Sequence, residues 1–209
     1  DVTIANQRGI GLVLTNNGSI FDISGNLYYN GSSDTDDLSD TTKQKKVVRI
    51  FSYYDAYYAL RKDGTVFAVG GNNYGQLGLG KNEAVIDLTN SGVDNLIKKP
   101  NGTTTPPNFK VKFANQATWQ DNLNLNPITS AERHFVAIQE NQTTPLETTP
   151  RLFAAGSNDL YQLGTATSTF AAKVPKALID PNLNPNDIAD IDGGGSYTTF
   201  LKKDGSVWT

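Results

Sequence analysis

Two twelve-residue stretches, 86 positions apart, constrain this chain more than any other feature: FAVGGNNYGQLG, from Phe67 to Gly78, and FAAGSNDLYQLG, from Phe153 to Gly164. Phe67 aligns with Phe153, Gly70 with Gly156, Asn72 with Asn158, and Gln76-Leu77-Gly78 with Gln162-Leu163-Gly164. A second stretch recurs just upstream. YYALRKDGTVF (Tyr57 to Phe67) matches GLVLTNNGSIF (Gly11 to Phe21) and TTFLKKDGSVW (Thr198 to Trp208). Each alternates apolar and polar residues, reaches Asn-Gly or Asp-Gly, and ends on a β-branched residue and an aromatic. Such a dipeptide between alternating runs signals a hairpin, with both turn residues expected at positive φ. The predicted tips are Asn17-Gly18, Asp63-Gly64 and Asp204-Gly205.

A short alternating strand precedes each hairpin: VTIAN from Val2, VVRIFS from Val47 and IADIDGGG from Ile188. NPITSAERHFVAI (Asn126 to Ile138) supplies the same strand pair for a further unit, whose tight turn is replaced by the longer loop ENQTTPLETTPR. The unit is thus strand, hairpin, aromatic strand, glycine-asparagine turn and Gln-Leu-Gly. The anchors Leu14, Leu60, Ile138 and Leu201 lie 46, 78 and 63 residues apart, so the second unit carries an insertion. The whole chain reads as one partial domain: unit one at 1–46, unit two at 47–80 with an insertion at 81–120, unit three at 121–187, and the first half of unit four at 188–209. Many short strands at even spacing, with a period of about 40–50 residues, select an all-β propeller over a sandwich or barrel.

LRKDGTVFAVGGNNYGQLGLG resembles the repeat of the regulator-of-chromosome-condensation family, with its Asp-Gly, aromatic, Gly-x-Asn and Gly-Gln-Leu-Gly. Gly194-Gly195-Ser196-Tyr197 resembles the Gly-Gly-x-His that opens the same repeat. Unit one keeps Gly25-Asn26 and Tyr28 but loses Gln-Leu-Gly, and unit three has Tyr161 where the motif has glycine. The resemblance implies a β-propeller, often a seven-bladed ring. About three and a half blades are expected here, as part of a larger ring whose other blades come from the parent chain or a partner. Within that fold Gly18, Gly64, Gly70, Asn72, Gln76, Leu77, Gly78, Gly156, Asn158, Gln162, Leu163, Gly164 and Gly205 are expected to be structural.

Chemistry is poorly represented. Gly71 to Gly80 could cradle a phosphate, but Gly80-Lys81 is followed by Asn82 rather than Ser or Thr, and no helical pattern follows. His134, the one histidine, stands in a slot held by Ile10, Ala56 and Tyr197 in the other units, which favours a packing or hydrogen-bonding role. Cysteine is absent, so thiolate metal sites and cysteine nucleophiles are excluded. The acidic run Asp34 to Asp40 fails the calcium-loop template, since Ser39 stands at its sixth position. No Gly-x-Ser-x-Gly occurs. No catalytic residue, cofactor or metal is expected.

The remaining signals are aromatic. Tyr54, Tyr74, Tyr161 and Trp119 are the candidate partner-binding residues; the alternative is that the tyrosines only line grooves between blades. The insertion, 81–120, is the expected contact element, since long loops in compact folds tend to carry function. The net charge of -3 and the lack of a basic cluster argue against nucleic acid, and no run approaches the roughly 18–20 apolar residues of a membrane helix. The expected function is a non-enzymatic protein-interaction propeller, extracellular or on a cell or virion surface. A carbohydrate-binding adhesin or receptor-binding module is the alternative from the aromatic face. A GTPase exchange-factor-like regulator is the alternative the family implies, although no residue here carries over an exchange site.

Overall fold

The computed structural model describes residues 2–4, 11–31, 46–85, 109, 128–139, 151–164, 171–177 and 183–209. These form four antiparallel sheets, one per sequence unit. Blade 1 runs β1 (Val2–Ile4), β2 (Gly11–Leu14), β3 (Ile20–Asp22) and β4 (Leu27–Tyr29). Blade 2 holds β5 (Val47–Tyr53), β6 (Ala56–Arg61) and β7 (Val66–Gly70), with Val85 bridging Gly70 where a fourth strand would lie. Blade 3 holds β8 (Ile128–Ser130), β9 (His134–Gln139), β10 (Arg151–Ser157) and β11 (Ala171–Ala177). Blade 4 holds β12 (Ile188–Gly194), β13 (Tyr197–Lys202) and β14 (Val207–Trp208). Strands follow sequence order within every sheet, and the first strands of successive blades touch: β1 on β5, β5 on β8, β8 on β12. Those strands are the inner staves of a propeller arc.

The three predicted hairpin tips are present, but in a different geometry. Only the glycine of each tip has positive φ, at 86° for Gly18, 83° for Gly64 and 87° for Gly205. Gly18 N donates to Thr15 O and Thr15 N to Ser19 O, the pattern of a three-residue loop whose last residue is left-handed. The residue before glycine therefore keeps negative φ and uses its side chain instead. Asn17 Oδ1 accepts from Ser19 N, Asp63 Oδ1 from Thr65 N and Oγ1, and Asp204 Oδ1 from Ser206 N and Oγ. The small hydroxyl residue after each glycine belongs to the turn, and the Ser206 hydroxyl holds the Asp204 carboxyl below the usual carboxylate range.

Strand alternation gives each blade a forward face, toward the next blade, and a backward face. On the forward face Leu14 pairs Ile20, Leu60 pairs Val66, Ile138 pairs Leu152 and Leu201 pairs Val207. On the backward face Val13 pairs Phe21, Ala59 pairs Phe67, Ala137 pairs Phe153 and Phe200 pairs Trp208. The apolar clusters form where one blade's forward face meets the next blade's backward face. Leu60 and Val66 of blade 2 share a cluster with Phe135, Ala137 and Phe153 of blade 3. Val136, Ile138 and Leu152 of blade 3 share another with Ile191 and Phe200 of blade 4. Rings add to the fit, with Tyr58 against Phe135 at 5.7 Å between centroids.

Two further aromatic pairs repeat one device. Tyr29, on the last strand of blade 1, covers Phe67 of blade 2 at 5.1 Å, and Phe109 covers Phe153 of blade 3 edge-on at 5.7 Å. Phe109 lies inside 81–120, so that segment is not wholly a surface element. Its first residues also belong to blade 2: Asn72 Nδ2 donates to the carbonyls of Lys81 and Glu83, and Gly70 exchanges both backbone bonds with Val85.

One polar bond crosses the third interface. His134 is fully buried on the forward face of blade 3, its Nε2 2.8 Å from Thr198 Oγ1 of blade 4, while no described group reaches Nδ1. With the proton on Nε2 the ring donates to Thr198 and leaves only an acceptor unpaired. Burial pushes the imidazole down from its ordinary 6.5 to about 4.

Phe109→Ala should cost about 3–5 kcal/mol in denaturant unfolding, because it empties the space over Phe153; a contact element detached from the blade would lose almost nothing. The histidine predicts an acid dependence. Between its unfolded and folded values the unfolded chain binds the extra proton, so stability falls as pH drops through that window, by about 2 kcal/mol at about pH 5. Denaturant midpoints measured against pH should show this slope, and His134→Gln should flatten it.

Candidate partner-binding face

In a four-strand meander, the turn between the first two strands and the turn after the third lie at one end, and the Asp-Gly tips lie at the other. The repeat therefore gathers its glycine-asparagine turns and its Tyr54-type turns on one face of the arc. The glycine-asparagine turn is built the same way twice. Asn72 and Asn158 are fully buried, and each Oδ1 accepts from the backbone of the leucine five residues on: Leu77 N at 3.0 Å and Leu163 N at 2.9 Å. Gln76 Oε1 accepts from Tyr74 N, and Gln162 Oε1 from Leu160 N. Leu77 and Leu163 plug their blades. Gly70 and Gly156, at φ 120° and 118°, leave no space for a side chain, since a Cβ would overlap the carbonyls of Asp55 and Arg133. The ligand-cradle reading of Gly71 to Gly80 thus gives way to a turn whose donors are used internally.

At the centre of the turn the blades differ. Blade 2 has Tyr74-Gly75, and blade 3 has Leu160-Tyr161. Gly75 has φ 76° and Tyr161 has φ 61°, so a tyrosine occupies a left-handed slot that elsewhere holds glycine. That conformation costs a side-chain-bearing residue about 1–2 kcal/mol. Its ring is 59% exposed, beside a Leu160 that is 64% exposed.

The other sequence candidates divide. Tyr74 is half-buried under the Arg133 guanidinium, 4.7 Å from its ring centroid. Arg133 also pairs with Glu132 at 3.3 Å and Asp159 at 3.9 Å, so Tyr74 is part of a clamp between blades 2 and 3. The Ser157 hydroxyl, then the Gln162 amide, hold the Asp159 carboxyl below the usual range, with a smaller share from Arg133. Tyr54, also left-handed at φ 59°, is half-buried in the β5–β6 turn of blade 2. Trp119 and the acidic run Asp34 to Asp40 lie outside the described residues. Among the described residues no three of His, Asp or Glu come together as a metal site.

Ser196 replaces Arg133 in the next blade, and no described ring covers Trp208 as Tyr29 covers Phe67. A groove of about 360 Å³ opens there between blades 3 and 4, with Leu160 and Tyr161 at its rim and Phe200 and Trp208 along its wall. Lys202 Nζ lies 4.0 Å from the Trp208 ring centroid. Sequence reasoning finds Tyr161 but not Leu160, Phe200 or Trp208. The one signal for them was the loss of the motif's glycine at Tyr161.

Two family models described as the regulator of chromosome condensation (RCC1) repeat match the chain, at residues 63–112 and 47–76. No curated protein sequence matches significantly. Among solved structures, Prp20p from Saccharomyces cerevisiae is similar at a TM-score of 0.55 and 14% identity, over 95% of this chain and 42% of that one. Yeast RCC1 (Prp20) bound to Kap60 is similar at a TM-score of 0.52 and 18% identity, over 95% of this chain and 39% of that one. At that identity the likeness speaks for the fold, and the chain spans well under half the length of either structure. Residues 47–112 match the regulator-of-chromosome-condensation repeat, and the four sheets are folded as consecutive blades of a β-propeller.

Proposed function

We propose that this propeller segment is a non-enzymatic protein-binding module, and that the groove between blades 3 and 4 takes an apolar or aromatic side chain of the partner. The observation that carries the reading is Tyr161, held in a strained left-handed turn with its ring in solvent at the groove rim. Trp208 and Phe200 supply the apolar wall, the kind of desolvated pocket in which a partner's anchor residue concentrates binding energy. The fold's precedents are of the same class: the yeast protein has been characterised for binding to Gsp1p and histones, and solved with Kap60. The modest net charge of -3 argues against a polyanion as the partner. An exposed tyrosine beside a tryptophan also suits a sugar ring, which makes glycan binding the competing reading.

The discriminating variants exploit the backbone. Tyr161→Gly removes the ring and relieves the turn, so folding stability should hold or rise by up to about 1 kcal/mol. Affinity for a captured partner should fall at least tenfold, about 1.4 kcal/mol. Tyr161→Ala should weaken binding equally while keeping the strain. Capture from a host or environmental extract, followed by titration of the identified partner, checks this. Undiminished binding by both variants removes the groove from the reading, and retention on a glycan array with no protein partner transfers it to a sugar.

A further inference from the structure

Asparagine is thermolabile, and most so before glycine, where no side chain shields the next amide nitrogen. Such pairs occur at Asn17-Gly18, Asn30-Gly31 and Asn101-Gly102, and the last lies outside the described residues. The first two meet in the folded chain. Asn17 and Asn30 are exposed, while Gly18 and Gly31 are buried. Gly31 sits on the tip of the β2–β3 hairpin so closely that a Cβ on it would overlap the Gly18 carbonyl and the Ser19 amide. Its N–H donates to Ser19 Oγ at 3.0 Å. On the other side Gly18 backs onto the start of blade 2, where a Cβ would meet Lys46 Cγ at 3.0 Å and Val47 N at 3.3 Å.

The reaction open to Asn17 is an intramolecular displacement. Hydroxide takes the proton from Gly18 N, and the nitrogen attacks Asn17 Cγ. A C–N bond forms, the Cγ–Nδ2 bond breaks, and ammonia leaves a cyclic imide. Water then opens the imide at one of its two carbonyls. Opening at Cγ gives aspartate, and opening at the backbone carbonyl gives isoaspartate, with an extra carbon in the main chain. The native tip holds both reacting groups elsewhere. Gly18 N donates to Thr15 O at 2.9 Å. Asn17 Oδ1 accepts from Ser19 N at 3.0 Å and from Thr15 Oγ1 at 2.6 Å. Ring closure must turn Gly18 N off Thr15 O and swing the Asn17 side chain off Ser19 N, and Gly31 and Val47 leave Gly18 little space to turn.

The two products fit the fold differently. Asp63 and Asp204 already occupy this slot in blades 2 and 4, each using Oδ1 as an acceptor. An aspartate at position 17 keeps that arrangement, with Ser19 N and Thr15 Oγ1 as its donors. An isoaspartate lengthens the backbone where Gly18 is wedged between Gly31 and Val47. We infer that Asn17 is a latent modification site: the folded tip keeps it unreactive, local opening releases it, and its isoaspartate product drives Gly18 out and loosens blade 1 from blade 2.

The 209-residue chain can be aged at mildly alkaline pH with and without denaturant, and its peptides mapped with fragmentation to separate Asn17 from Asn30. Conversion at Asn17 should be at least about tenfold slower in the folded chain, because it waits on an opening of the tip. Ser19→Ala removes the acceptor for Gly31 N and should speed conversion in the folded chain without changing it in denaturant. Asn17→Asp should unfold at the midpoint of the parent. Chains aged to isoaspartate at position 17, identified by isoaspartyl methyl transfer, should unfold at lower denaturant. Equal rates at Asn17 in folded and denatured chain overturn the inference. So does an isoaspartate chain as stable as the parent, and so does Asn17→Asp destabilised as much as the isoaspartate chain. If Ser19→Ala does not fold, these comparisons on the parent and on Asn17→Asp still decide.

Discussion

Everything in this molecule depends on the fit between an aliphatic forward face and an aromatic backward face. A single sheet of three or four short strands cannot bury its own faces, so each apolar face needs another element packed over it. Each blade here solves the problem by lending one face to the blade before it and the other to the blade after it. Burying a side chain such as Leu60 or Phe153 contributes about 1.5–3 kcal/mol, so a few such residues per interface outweigh any single polar contact across it. Among the described residues hydrogen bonds between blades include Arg61 to Tyr29 and His134 to Thr198, and burial of the His134 imidazole makes the latter an acid-sensitive joint.

The glycine-asparagine turn is the local counterpart of that packing rule. Its buried asparagine satisfies the backbone of the plug leucine, so the leucine can enter the blade without leaving an orphaned amide behind. The N–H groups of Tyr74, Gly75, Leu77 and Gly78 all donate within the turn, so these donors are not free for a ligand. Within the turn the two copies differ at Gly71/Ser157, Asn73/Asp159, Tyr74/Leu160 and Gly75/Tyr161, and the last two set what the turn does at its centre. Blade 2 uses its pair to hold Arg133 between blades. Blade 3 uses its pair to present Leu160 and Tyr161 to solvent.

Much of this was legible in the sequence, for a physical reason. Hairpin tips, plug leucines and turn asparagines are fixed by local backbone chemistry, and local chemistry repeats. The turn type was misjudged because Asn17, Asp63 and Asp204 have two uses, positive φ or an acceptor side chain, and the sequence pattern alone does not separate them. The hydroxyls of Thr65 and Ser206, which donate to Asp63 and Asp204, betray the second use, and at Asn17 the donating hydroxyl is that of Thr15. The role of Phe109 was hidden because it pairs with Phe153 across an insertion with no repeat register of its own. Tyr74 and Tyr161 read as equals in sequence. They differ because of Arg133, a residue from another blade, and no local pattern reports what a neighbouring blade places overhead.

The two apolar clusters divide the arc unevenly. One runs without a break through blades 1, 2 and 3, and the other joins blade 3 to blade 4 alone. In a stacked array, where each unit couples only to its neighbours, cooperativity follows such continuity. Blades 1 to 3 therefore share one apolar cluster, and the seam between blades 3 and 4 is a separate one with a titratable histidine in it. Within the described arc, that seam is where apolar continuity is interrupted and a group sensitive to acid stands in its place.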